Sequence, residues 1–128
     1  MRVIIAGSRT FNNYKFLKAN CLKIFRQLKA EGYDTKRETL EIISGTARGA
    51  DRLGEQFAEE FNLKVVRFPA DWDKLGRKAG YIRNEKMALY AKEDNGVLIA
   101  FWDGVSKGTK SMINLANKHG LRVFVVKF

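Results

Sequence analysis

"TLEIISGTARGADRLGEQFAEEF", residues 39–61, passes through three kinds of composition in 23 positions. "TLEIIS" (39–44) is a short, β-branched apolar run of the kind that forms a buried strand. From Ala50 to Phe61, the residues Leu53, Phe57, Ala58 and Phe61 recur on one face at helical spacing. Between them lies "SGTARGAD" (44–51), with two glycines, two hydroxyls and an arginine. A strand that leaves through a glycine-rich loop into a helix is the first half of a βαβ unit, whose next strand runs parallel to the first.

The same alternation extends in both directions. "RVIIA" (2–6) is a strand ending at Gly7, and Tyr14 to about Ala30 carries Leu17, Cys21, Ile24, Phe25 and Leu28 at three- and four-residue steps. "KVVRF" (64–68) is the third strand, ended by the only proline, Pro69. The loop "PADWDKLGRKAG" precedes a helix from about Tyr81 to Lys92. "GVLIAFW" (96–102), a helix over Lys107–Lys118 and "RVFVV" (122–126) complete the chain. Apolar strands separated by helices predict a parallel sheet covered on both faces. The expected fold is therefore α/β: a three-layer Rossmann-like domain spanning 1–128, with a mainly parallel five-stranded sheet in the order 3-2-1-4-5.

Composition narrows the function. One cysteine, Cys21, excludes an internal disulfide and most cysteine-based metal sites; neither a metal nor a cofactor is expected. No apolar run approaches the ~20 residues of a membrane span, and "MRVIIAGSRT" turns polar too soon for a signal peptide, which predicts a cytoplasmic protein without membrane partners. The net charge of +10 suits phosphorylated or polyanionic partners, although a solvated surface accounts for it equally well.

In a doubly wound sheet the strand-to-helix loops share the carboxyl edge, where ligands bind. Three of them, "GSRTFNN", "SGTARGAD" and "DGVSKGTKS", combine small residues, hydroxyls and a cation ahead of a helix. The candidate ligand residues are Gly7, Ser8 and Arg9; Gly45, Thr46, Arg48, Gly49 and Asp51; and Asp103, Ser106, Lys107, Gly108 and Thr109. Arg83, at the start of the third long helical pattern, joins them. Glycine admits close backbone approach, helix N-termini attract anions, and Arg48 is expected to neutralise a phosphate. Capping and turn formation explain any one of these loops equally well. Neither Gly-x-Gly-x-x-Gly nor Gly-x-x-x-x-Gly-Lys-Ser/Thr occurs, which disfavours NAD and conventional ATP hydrolysis.

"MRVIIAGSRTF", "IISGTARGADRLGEQFA", "FPADWDKLGRKAGYIRNEKM" and "LIAFWDGVSKGTKSMI", taken in order, resemble the SLOG superfamily in its YspA-like, YpsA-related branch. The resemblance implies a Rossmann-like fold that binds nucleotides or nucleotide-derived molecules. Relatives include LOG phosphoribohydrolases, single-strand-binding DNA-processing proteins and sensors of nucleotide signals. LOG enzymes carry Arg-Lys-x-x-Met and Pro-Gly-Gly-x-Gly-Thr-x-x-Glu; here Arg83 and Met87 fit the first, and Gly108 and Thr109 the second. Met112 stands where that glutamate belongs, and a thioether cannot move a proton. Hydrolysis of an N-glycosidic bond would then fall to Asp103, Asp51 or Glu85, with Arg83 as the cation. Trp72 and Trp102 could stack on a base, but closing the edge of the core is the simpler role for each.

The expected function is thus binding of a nucleotide or nucleotide-derived ligand as a sensor or sequestering protein, with hydrolase activity left open. The alternative is single-stranded nucleic-acid binding, and a second copy of the chain is a further candidate partner.

Overall fold

A computed structural model describes all 128 residues. Five strands form one sheet, β1 (Arg2–Gly7), β2 (Glu41–Ser44), β3 (Lys64–Arg67), β4 (Gly96–Trp102) and β5 (Arg122–Lys127), every pairing parallel and the order β3-β2-β1-β4-β5. Order and direction are those expected from the alternation of apolar runs and helices. The chain is a three-layer Rossmann-like α/β fold whose strand order reverses between β1 and β4.

The central strands owe their continuous apolar runs to burial on both faces. Val3 and Ile5 of β1 point into one core with α1 (Tyr14–Ala30) and α2 (Ala50–Glu60), while Ile4 and Ala6 point into the other. That second core is closed by α4 (Ala79–Lys92) and α5 (Lys107–Lys118), and Met112 sits in it almost fully buried. Asn13 caps α1 by accepting the Phe16 amide at 3.1 Å, which fixes the helix start at Tyr14. Cys21 lies on the buried stripe of α1 as a small hydrophobe, and burial pushes its thiol up to about 12.

The loop expected over 69–80 is more ordered than its sequence suggests. Trp72–Leu75 forms a short helix, α3, capped by the Asp71 carboxylate, and a tight turn at Gly76–Lys78 leads into α4 two residues before Tyr81. Thr39 likewise leaves β2 for a turn over Arg37–Thr39. No helix is long and apolar enough to cross a membrane.

Candidate functional site

A cavity of about 550 Å³ opens beyond the carboxyl ends of β1 and β4, at the reversal of strand order. The loops after β1, β2 and β4 all reach it. Ser8, itself buried, ties them together. Its amide donates to the Phe101 carbonyl at 2.9 Å, its carbonyl accepts the Ala50 amide at 3.4 Å, and its hydroxyl accepts the Asp103 amide at 3.3 Å.

Two of the loops end in backbone donors without protein acceptors. The amides of Arg9 and Thr10 after β1, and of Lys107 and Gly108 in the first turn of α5, make no hydrogen bond within the chain. All four residues line the cavity. Ser106 caps α5 through Thr109, its hydroxyl accepting the Thr109 amide at 3.4 Å. Asp103 accepts the Val105 and Ser106 amides, each at 2.8 Å, and these bonds hold its carboxyl below the usual range. Asp103 and Ser106 therefore shape the turn as well as bordering the cavity.

The loop after β2 contributes differently. Thr46 and Gly49 both adopt left-handed backbone, at φ 64° and 84°. Asp51, in the first turn of α2, accepts the Ala47 amide at 3.1 Å and is nearly buried against the cavity wall. Burial pushes its carboxyl up to about 6, against the opposing pull of the Ala47 amide, Arg83 and Arg9. Arg83 reaches across from α4 to the Gly45 carbonyl, and its Nε donates to Asn84 Oδ1 at 2.9 Å. Its burial lowers the guanidinium's affinity for a proton, although arginine stays charged at any physiological pH. A Cβ at position 45 would lie 2.8 Å from both Arg83 Nη1 and Asp51 Oδ2, so glycine is what lets these two groups flank the loop.

Gly7, Ser8, Arg9, Asp51, Arg83, Asp103, Ser106, Lys107, Gly108 and Thr109 thus share one cavity. Gly45, Thr46, Gly49 and Glu85 do not line it, and the two glycines serve close packing instead. Arg48 is exposed and also stands outside the lining, although Ala47 beside it and Asp51 in the first turn of α2 both line the cavity. Arg48→Ala is accordingly expected to change nucleotide affinity less than about twofold and the melting temperature little, in a titration read beside melting curves. A tenfold loss would return Arg48 to the site.

The sequence reading missed Thr10, Arg77, Asn84 and Ser111 as lining residues. Asn84 had a legible signal: it is a polar residue on the inner stripe of α4, three positions before the buried Met87. Arg9, Arg77, Arg83 and Lys107 face the cavity against only Asp51 and Asp103, so its wall is net cationic. None of the four cations takes part in an ion pair, Arg83 being bonded to the Gly45 carbonyl and Asn84 instead.

A doubly wound sheet with a polar, cationic cavity at its switch point belongs to the Rossmann-like class that holds ligands beyond the strand ends. Residues 1–75 match the YspA, cpYpsA-related SLOG family, and the chain belongs to that family. Over 89 residues it is 36% identical to the Gene 61 protein of Mycobacterium phage D29, an alignment covering 66% of this chain and 69% of that protein. No solved structure matches the chain significantly.

Proposed function

We propose that the protein binds a nucleotide or nucleotide-derived molecule carrying a phosphorylated ribose, acting as a sensor or a sequestering protein. What carries the reading is one cavity whose lining residues include four with amides that find no acceptor in the chain and four cations, Arg9, Arg77, Arg83 and Lys107, that take part in no ion pair. Backbone donors at a helix start and fixed positive charge together suit a phosphate better than any neutral ligand. The volume lies within the usual range for small-molecule sites. Membership of the SLOG family points the same way.

Titration calorimetry with nucleoside monophosphates tests this. Binding should vary little with salt compared with a nucleic-acid contact, and Lys107→Ala should weaken it about tenfold, the worth of one charge-assisted hydrogen bond. Because Lys107 is exposed, the free variant should melt like the wild type. Tight, steeply salt-dependent binding of single-stranded DNA without mononucleotide binding would instead favour a polyanion surface.

A second reading, cleavage of the N-glycosidic bond, is favoured by one observation. Asp51 is a buried cavity carboxyl that titrates near 6 and could deliver a proton to a leaving base. Met112 is confined to the core and cavity floor, so no carboxylate occupies the position of the LOG glutamate. Chromatography of mononucleotides incubated with the protein decides the matter: free base must accumulate, and must not with Asp51→Asn.

A further inference from the structure

Two large aromatic side chains stand in the cavity without an apolar reason to be there. Trp72 is 48% exposed and Tyr81 51%, both line the cavity, and neither belongs to either apolar core cluster. Neither takes part in an aromatic pair. Trp102 makes the contrast: half-buried, its indole N–H donates to the Ser106 carbonyl at 3.0 Å, and it lies outside the lining. Trp102 is therefore tied into the turn after β4 by its indole N–H, whereas the Trp72 indole makes no hydrogen bond, and neither tryptophan belongs to a core cluster.

The position of Trp72 is nonetheless fixed. Asp71 accepts the Lys74 amide at 3.2 Å and caps the single turn that carries the indole. Gly80 makes room for it: a Cβ there would stand 3.2 Å from Trp72 Cη2. Over the ring, the Arg9 guanidinium lies 6.0 Å from the centroid, the outer limit of a cation–π contact. The indole is thus set between Gly80 and Arg9, both of which also line the cavity, and keeps 48% of its surface exposed. Arg9 connects the two halves of the site, since its unsatisfied amide belongs to the phosphate-binding edge while its side chain approaches the indole.

We infer that Trp72, assisted by Tyr81, is the seat for an aromatic base, so that the ligand is a base-bearing nucleotide rather than a sugar phosphate or inorganic phosphate. This deepens the proposed function and rests on it. An indole face recognises any base by stacking, so the seat selects for the presence of a base more than for its identity.

The experiment compares adenosine, guanosine, cytidine and uridine 5′-monophosphates with ribose 5-phosphate, titrated into wild type, Trp72→Ala and Trp72→Phe. The wild type should bind at least one of the nucleotides more tightly than the sugar phosphate. Trp72→Ala should weaken that nucleotide about tenfold or more and leave ribose 5-phosphate within twofold, whereas Trp72→Phe, which keeps a stacking face, should bind the nucleotide nearly as the wild type does. In a Trp102→Phe background the remaining fluorescence reports Trp72 alone, and the nucleotide but not ribose 5-phosphate should quench it. A wild type that binds ribose 5-phosphate as tightly as every nucleotide overturns the base seat while leaving the cavity's phosphate reading intact. So does a Trp72→Ala variant that loses both ligand types equally, or neither. A wild type that binds none of the five probes overturns the reading of the cavity, and the seat with it.

Discussion

Gly7→Ala is expected to lower the melting temperature by about 10 °C or more, the largest stability loss of any single methyl added to this chain. A Cβ at position 7 would meet the Phe101 carbonyl oxygen at 2.2 Å, and the Phe101 carbonyl carbon and Ala50 Cβ at 2.9 Å. The obstacle is backbone, and β1 is registered against β4 from Arg2 to Gly7, so neither strand can move aside alone. Overpacking of this kind typically costs about 1–3 kcal/mol, and an unyielding neighbour places it at the upper end. For a domain of this size about 3 kcal/mol is roughly 10 °C. Gly108→Ala is the control, because nothing lies within 4 Å of its added Cβ and it sits in the first turn of α5. It should melt at the wild-type temperature or slightly above. Calorimetric melting of both variants checks this, and a Gly7→Ala fall of under about 3 °C would show that the rim yields where the register says it cannot.

The same contact explains why the sheet was legible in the sequence and parts of its rim were not. Val3, Ile4 and Ile5 in β1, and Val97 to Phe101 in β4, are apolar on both faces because both faces are covered, and such a run has one economical reading. Periodicity placed α1, α2 and α5 to within a residue or two. It placed the start of α4 two residues late, since the opening residues Ala79 and Gly80 carry no amphipathic signal, and it could not see α3, a single turn held by one Asp71 cap.

Within the loops, residue type was legible and direction was not. Arg9 and Arg48 occur in similar company, each after a strand and beside small residues, yet only Arg9 faces the cavity. Arg48 stands between the lining residues Ala47 and Asp51 without joining them, and the loop turns through positive φ at Thr46 and Gly49, a backbone property that composition does not record. Gly49 is further constrained because a Cβ there would stand 2.5 Å from the Ser8 carbonyl oxygen, so it joins two loops by packing, away from the lining. Arg77 came from a stretch without periodicity, and its place in the cavity follows from the turn after α3.

Asp51 should make both stability and ligand affinity depend on pH, in the opposite sense to an ordinary surface carboxylate. In the folded chain it titrates near 6, against an ordinary value of 3.8, because burial penalises the charged form more than Arg83, Arg9 and the Ala47 amide favour it. Glu55, one turn along α2, adds a smaller push in the same upward direction. A raised folded-state value means that the folded chain holds the proton more tightly than the unfolded chain. The stabilisation is therefore complete below about pH 4 and is lost as pH rises through 6. For a group this buried the gap corresponds to about 3 kcal/mol. Asp51→Asn has no such titration and can still accept the Ala47 amide through its side-chain oxygen. Denaturant melts of the two proteins should show the variant gaining about 3 kcal/mol on the wild type between pH 4 and pH 8. A phosphate in the cavity would repel the Asp51 anion and draw a proton onto it. From pH 5.5 to 7.5 the nucleotide affinity of Asp51→Asn should rise as the phosphate takes its second charge, near pH 6, and that of the wild type should lag behind it or fall. Parallel stability curves would mean that Asp51 is ionised throughout and is held by Arg83 after all. Parallel binding curves beside divergent stability curves would place the phosphate away from α2, toward Lys107 and the first turn of α5.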